Sequence, residues 1–125
     1  MTLDTNALSA WADGLPGISV HLQSANRVVL PVVALGESFF GILQSRYRVR
    51  YETWRQENLP SVELVGVDRS TAEEYGRVRL ELKQQATPIP GNDAWIAALA
   101  RQHGLPILSN DQHFDVVSGI QRIAF

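Results

Sequence analysis

Hydrophobic and polar positions follow two different periods along this chain. Short aliphatic runs bounded by turn residues predict strands, which fall at residues 2–4, 27–31, 62–67, 106–109 and 121–125. Between them, apolar residues recur every three or four positions and predict helices. The helices are expected at residues 6–12, 16–24, from 33 to 46 or beyond, from about 70 to 85, and at 93–102.

Local signals indicate where several helices begin and end. Ser70, followed by Glu73 and Glu74, resembles an N-terminal capping arrangement, and Asn92 is a plausible N-cap for the helix after it. Gly104 stands where a glycine commonly terminates a helix. These signals give the predicted helices defined boundaries.

Strands that alternate with helices are typical of the α/β class. They predict a mostly parallel sheet covered by helices on both faces, with functional groups gathered beyond the carboxyl ends of the strands. The 125 residues fit one domain, residues 1–125, and no internal repeat is evident.

Composition and charge narrow the class of protein further. There is no cysteine, which excludes disulfides and thiolate metal sites and fits a cytoplasmic protein. The start of the chain does not resemble a secretion signal, and the most apolar run, residues 28–36, is too short to span a bilayer, so we expect no membrane association. A net charge of −2 argues against a uniformly nucleic-acid-binding surface, although acids that collect cations would leave the remaining surface positive.

Four acidic residues stand in settings that suggest chemistry. Asp4 and Asp111 follow predicted strands, Glu37 lies within a mainly apolar helix, and Asp93 begins a helix. Each also has an ordinary structural explanation: Asp4 as a helix cap, Asp93 as a favourable charge at a helix start, Glu37 at a helix edge, and Asp111 in a turn. Taken singly, none of them identifies a site.

Together, the four acids indicate a metal site. Carboxylates gathered at one end of a parallel sheet would repel one another unless cations compensated their charge. Oxygen ligands without cysteine or paired histidines suit Mg²⁺ or Mn²⁺, which can activate a water molecule and stabilise a phosphoryl oxygen. Such chemistry cleaves phosphodiester bonds.

At four places the sequence resembles the PIN domain family, and specifically its VapC-type toxins. Leu3-Asp4-Thr5-Asn6-Ala7-Leu8 resembles the opening block of that family, and Glu37 with Ser38 and Gly41 resembles the second. The segment from Asn92 to Ala98 resembles the third block, and that from Leu108 to Phe114 the fourth. The blocks appear in the family's order over nearly the whole chain.

The resemblance implies a three-layer α/β/α fold and Mg²⁺- or Mn²⁺-dependent endoribonuclease activity through metal-activated water. It makes Asp4 and Asp93 the principal metal ligands, with Glu37 completing the first site. Asp111 would bind a second ion or hold a water. Two polar residues, Asn6 and Ser109, would orient the carboxylates.

The resemblance also implies partners. A toxin of this kind acts on RNA and is neutralised by a cognate antitoxin protein, whose helical or extended tail would cover the acidic cleft. A homodimer is implied as well. The alternative is a PIN-like module that has lost activity and serves in protein association, against which the four retained acids argue. An aspartate-nucleophile phosphatase is disfavoured because Asn6 stands where a second aspartate would be needed.

Two further features are open to more than one interpretation. Tyr47, Tyr51 and Trp54 have helical spacing among several arginines, which favours a helix packed on its own domain or a partner over direct RNA contact. His113 lies beside Asp111, but without a second histidine a structural or surface role is favoured.

Overall fold

The centre of the molecule is a sheet of five parallel strands, as seen in a computed structural model that describes residues 1–125. The strands are β1 (Thr2–Leu3), β2 (Val29–Pro31), β3 (Glu63–Val65), β4 (Ile107–Leu108) and β5 (Arg122–Ile123). Their order across the sheet is β3-β2-β1-β4-β5, with Thr2 opposite both Val29 and Ile107. The first strand therefore lies in the middle of the sheet.

Six helices flank this sheet and form the outer layers of a three-layer α/β/α fold, so the predicted fold class is confirmed. They are α1 (Thr5–Ala12), α2 (Pro16–Ser24), α3 (Val32–Gln44), α4 (Arg48–Asn58), α5 (Arg69–Gln84) and α6 (Gly91–His103). Two 3-10 turns follow α4 and β4, at Leu59–Ser61 and Gln112–Val116. None of the helices combines the length and apolar character needed to cross a membrane.

Two of the predicted helix caps are wrong. Asp68, not Ser70, caps α5: its extended backbone lets the carboxylate accept the Thr71 N–H at 2.9 Å, while the Thr71 hydroxyl accepts the Asp68 N–H. Asn92 does not cap α6, because that helix already begins at Gly91 after Pro90. The predicted end at Gly104 is confirmed, since this residue has the left-handed conformation, with φ of 66°.

The long helix predicted from residue 33 to 46 or beyond is two helices. Ser45 is extended and ends α3, and its hydroxyl accepts the Tyr47 N–H at 3.0 Å before α4 begins at Arg48. The strands are also shorter than predicted. In each aliphatic run, only two or three residues pair with a neighbouring strand.

The new helix α4 packs against α1 through two of the three predicted aromatic residues. Trp54 meets Trp11 edge to face, with ring centroids 4.9 Å apart, and the Tyr51 hydroxyl donates to Asp13 at 2.7 Å. Tyr47 lies outside the helix and remains exposed. These contacts support intramolecular packing for Tyr51 and Trp54.

The core lies between the central strands and α6. Leu3, Ile107 and Leu108 are fully buried, and α6 contributes consecutive buried small residues such as Ala97 and Ala98. Small side chains allow this helix to approach the sheet closely. The first turn of α6 is thereby held near the carboxyl edge, where β1 and β4 end.

Candidate active site

Two adjacent strands carry two of the four acids to one edge of the sheet. Asp4 follows β1 directly, and Asp111 follows β4 after Ser109 and Asn110. Leu3 and Leu108 are paired in register, so the chain leaves both strands at the same level. This is the edge at which parallel α/β sheets place their functional groups.

Asp4 is held on both of its carboxylate oxygens. Its Oδ1 accepts the Ala7 N–H at 2.7 Å and so caps α1, while Oδ2 accepts a hydrogen bond from the Ser109 hydroxyl. The same hydroxyl oxygen accepts the Asp111 N–H at 2.9 Å. The capping interpretation is therefore correct, and the capping residue also faces the acidic cluster.

The burial of Asp4 makes its charge costly. Only 3% of this residue is exposed, and burial raises the pKa of its carboxyl to about 6. The hydrogen bonds from Ser109 and Ala7 oppose the rise, and the nearby charges of Asp93 and Asp111 add to it. A cation beside this carboxylate would offset the cost.

Glu37 reaches the same place from α3, which begins immediately after β2. Its Oε1 is buried and has no hydrogen-bond partner within the protein, and the same is true of the hydroxyl oxygen of neighbouring Thr5. Buried oxygen atoms are rarely left without a partner, so these two positions suit an ion or an ordered water.

Asp93, Asp111 and His113 form the exposed side of the cluster. The Nδ1 atom of His113 lies 3.0 Å from Asp93 Oδ2 and 3.1 Å from Asp111 Oδ1. Burial, followed by the charge of Asp111, raises the pKa of Asp93 against the opposing hydrogen bond from His113. The same contact with Asp93 raises the pKa of His113.

Asp111 also fulfils its predicted role in a turn. It caps the 3-10 turn at Gln112–Val116 by accepting the His113 N–H at 2.9 Å. The turn brings the imidazole of His113 back over the carboxylate of Asp111.

These residues line one cleft of about 460 Å³, and none of its lining residues is hydrophobic. The acidic cleft, as we call it, is lined by Asp4, Asn6, Glu37, Asp93, Asp111 and His113 among others. Asn6 is exposed and makes no side-chain hydrogen bond, whereas Ser109 is buried behind Asp4. The structure thus brings all four predicted acids together.

The donor atoms fit a hard divalent cation. One ligand atom from each of Asp93, Asp111 and His113 lies within 4.8 Å of the others, and the unpartnered Glu37 oxygen belongs to the same cleft. Carboxylate oxygens are the ligands that Mg²⁺ and Mn²⁺ prefer. A bound cation would neutralise the negative charges of these carboxylates.

His113 is the cleft residue whose position the sequence interpretation missed. An oxygen-only donor set was expected, and the fold adds an imidazole nitrogen. The spacing of Asp111 and His113 in a turn was a visible signal, but the contact with Asp93 joins residues 20 positions apart. Only the packing of α6 against the turn reveals it.

The fold and the site define the class of this chain: it is a three-layer α/β/α protein with a carboxylate-lined cleft, a candidate metal site, at the carboxyl edge of its parallel sheet. Within this class, the model of the PIN domain family matches residues 1–120. The chain belongs to the PIN domain family, and the family predicted from the four sequence blocks is confirmed.

Individual relatives agree with this assignment. Ribonuclease VapC5 of Mycobacterium tuberculosis (strain ATCC 25618 / H37Rv) is 30% identical over 96 residues, which cover 75% of this chain and 71% of the relative. The fold is similar to that in the crystal structure of VapBC2 from Rickettsia felis bound to a DNA fragment from their promoter. The TM-score is 0.91 and the sequence identity is 19%, and the match covers 99% of this chain and 97% of the VapBC2 chain. VapBC-5 from M. tuberculosis, a member of the VapBC family of toxin-antitoxin systems, gives a TM-score of 0.79 and 26% identity, with the same coverages.

Proposed function

We propose that this protein is an endoribonuclease dependent on a divalent cation, Mg²⁺ or Mn²⁺, and that it is the toxin of a toxin–antitoxin pair in the cytoplasm. Residues 1–125 would form its single domain. The observation that carries the proposal is the convergence of Asp4, Glu37, Asp93 and Asp111 in one polar cleft of a PIN-domain chain related to ribonucleases.

The carboxylates of the acidic cleft would hold the cation. Asp4 and Asp93 are the principal ligands in this proposal, Glu37 adds the oxygen that lacks a partner, and Asp111 binds a second ion or a water. When bound, the ion supplies Lewis acidity for water activation and for the charge that develops on the scissile phosphate.

The chain's own residues position the carboxylates. Ser109 fixes one oxygen of Asp4 through its hydroxyl, and the N–H of Ala7 fixes the other, so the carboxylate cannot rotate freely. The N–H of Asp111 bonds to the same hydroxyl oxygen and couples the two strand ends. Asn6 is exposed in the same cleft and makes no side-chain hydrogen bond, so in this proposal its amide would donate to a phosphate oxygen of the RNA.

The test of catalysis is cleavage of RNA in the presence of Mn²⁺ or Mg²⁺ by the wild type and by Asp4→Asn and Asp93→Asn. Both variants remove a charge while keeping the shape of the side chain, and we expect each to lose roughly 100-fold or more in rate. Glu57→Gln, which changes an exposed acid outside the cleft, is the matched control and should cleave normally. Cleavage by Asp4→Asn at the wild-type rate would refute the proposed mechanism.

A second depression offers the antitoxin a place to bind. A groove of about 330 Å³ between α1, α3 and α4 is lined by apolar residues such as Leu8, Ile42 and Trp54, and it shares Thr5 and Glu37 with the acidic cleft. A helical or extended tail lying in this groove would reach the carboxylates. The likeness to VapBC assemblies supports such a partner.

Co-expression with the product of the adjacent open reading frame tests the toxin role. We expect the protein alone to arrest growth and the neighbour to restore it. Ile42→Arg should abolish this rescue while RNA cleavage persists, because the substitution places a bulky charge in the groove and leaves the carboxylates unchanged. An inactive association module would bind a partner without arresting growth or cleaving RNA.

A further inference from the structure

The feature that the family assignment leaves unexplained is the imidazole of His113. Its Nδ1 lies between two carboxylates, 3.0 Å from Asp93 Oδ2 and 3.1 Å from Asp111 Oδ1. The ring is otherwise solvent-exposed, with 49% of the side chain accessible, so it fills no core space. Packing therefore does not account for its position.

The two separations match the geometry of a coordination sphere. In an octahedral site with bonds of roughly 2.1 Å, neighbouring ligand atoms stand roughly 3 Å apart. Without an ion, both contacts are those of an imidazole N–H attracted to two carboxylates, Asp93 and Asp111. An ion bound to all three atoms would take the place of that proton and keep the same separations.

The backbone places His113 beside the carboxylates independently of any contact of its imidazole. The His113 N–H donates to Asp111, and the next residue, Phe114, is buried in the core and anchors the turn. Asp93 is fixed independently in the first turn of α6. Two separate elements thus bring His113 and Asp93 to the same place, as residues that share a metal ion must be.

We propose that His113 is a direct ligand of the catalytic ion, through Nδ1, and that it makes this cleft a mixed nitrogen–oxygen site that prefers Mn²⁺ to Mg²⁺. The inference rests on the proposed function, because it assumes that the acidic cleft binds a divalent ion.

The preference follows from ligand chemistry. Mg²⁺ is a hard ion that strongly favours oxygen donors and retains its waters, whereas transition ions accept an imidazole nitrogen readily. Replacing one oxygen position by nitrogen therefore costs Mg²⁺ more than it costs Mn²⁺. His113→Ala should reduce this preference for Mn²⁺, because the remaining donors from the cleft are carboxylates.

The experiment uses the full chain loaded with Mn²⁺ alone and measures electron spin-echo envelope modulation. We expect nitrogen modulation in the wild type, altered by ¹⁵N-labelled histidine and absent in His113→Ala. His103→Ala is the matched control, since His103 lies outside the cleft, and it should retain the modulation. Calorimetric titration should show His113→Ala losing about tenfold or more in Mn²⁺ affinity and much less in Mg²⁺ affinity.

The outcomes separate this inference from the function on which it rests. If Mn²⁺ binds and RNA is cut, but the wild type shows no histidine modulation, then His113 is not a ligand and the inference fails while the nuclease proposal stands. Modulation that persists in His113→Ala also overturns it. If no divalent ion binds to the wild type at all, both proposals fall.

Discussion

At the scale of single residues, Asp4 combines a structural role and a chemical one that oppose each other. As the cap of α1 it stabilises the helix by accepting the Ala7 N–H. As a buried carboxylate it is destabilising when charged, because its pKa is raised to about 6 in the folded protein. Removing only the charge should separate these two effects.

We therefore expect Asp4→Asn to stabilise the metal-free protein above pH 6. The folded state holds the proton of Asp4 up to about pH 6 and the unfolded state only to about pH 4, so wild-type stability falls as pH rises through that window. Asparagine can still accept from Ala7 and can donate to Ser109. The gain should be about 2 to 3 kcal/mol at pH 7.5 in EDTA and vanish below pH 4, as measured by urea unfolding.

Asp115→Asn provides a control of opposite sign. The Arg122 guanidinium holds the pKa of Asp115 below its usual range, so this exposed carboxylate stabilises the fold above its unfolded pKa, and the variant should be slightly less stable at neutral pH. Added Mn²⁺ should stabilise the wild type more than Asp4→Asn. A wild-type stability that rises relative to Asp4→Asn between pH 4 and 6 would contradict the argument from burial.

Ser109 offers a second prediction at this scale. Its hydroxyl donates to Asp4 and accepts from Asp111, so Ser109→Ala frees one carboxylate oxygen and leaves one backbone N–H without a partner. We expect RNA cleavage to fall by about 10- to 100-fold, as for other groups that orient metal ligands. Ser24→Ala, which affects only a hydroxyl at the exposed end of α2, should leave cleavage unchanged in the same assay. Equal activity of the two variants would show that Asp4 needs no orientation by Ser109.

At the scale of elements, the helix that carries Asp93 is held by an ion network. Arg101 of α6 donates to both Glu74 and Glu81 of α5 and to the carbonyl of Ser118. Its side chain is only 14% exposed, so the pairing is largely shielded from water. This network fixes α6 against α5 and, through it, the position of Asp93.

Arg101→Met should lower the free energy of unfolding by about 1 to 2 kcal/mol, because Glu74, which is mostly buried, then keeps only the exposed Arg77 as a partner, and Glu81 loses its cation. Methionine keeps most of the apolar stem, so loss of packing contributes little. Arg77→Met is the matched control: Arg77 also pairs with Glu74, but its side chain is 62% exposed, and we expect a change below about 0.5 kcal/mol. Urea unfolding of the two variants would distinguish them, and equal losses would refute the shielding argument.

The elements themselves were largely predictable, and the exceptions have local causes. Short aliphatic runs and helical periodicity located all five strands and most helices. The break at Ser45 was missed because no glycine or proline marks it. The starts of α5 and α6, at the caps Asp68 and Pro90, were predicted at the wrong residues. The residue at which a helix begins depends on backbone angles, which composition does not reveal.

At the scale of the whole molecule, the convergence of the acids was predictable for a topological reason. Asp4 and Asp111 follow strands of a parallel sheet, whose carboxyl ends share one edge, and this brings them together without knowledge of side-chain contacts. The meeting of His113 with Asp93 was not predictable, because it depends on how the turn at Gln112–Val116 packs against α6. The sequence pattern predicts which residues lie at the strand ends. Which side chains then make contact depends on tertiary packing.

The surface of the whole molecule also bears on the predicted homodimer. Val32, Phe39, Phe40 and Leu43 form an exposed apolar stripe along α3, with Phe40 66% and Leu43 60% exposed. If two copies bury this stripe, sedimentation should give twice the mass of the 13.9 kDa chain, and Leu43→Arg should yield a folded monomer. Val20→Arg, at an equally exposed valine on α2, should remain dimeric. A monomeric wild type, or dimers of Leu43→Arg as stable as those of Val20→Arg, would exclude α3 as the interface.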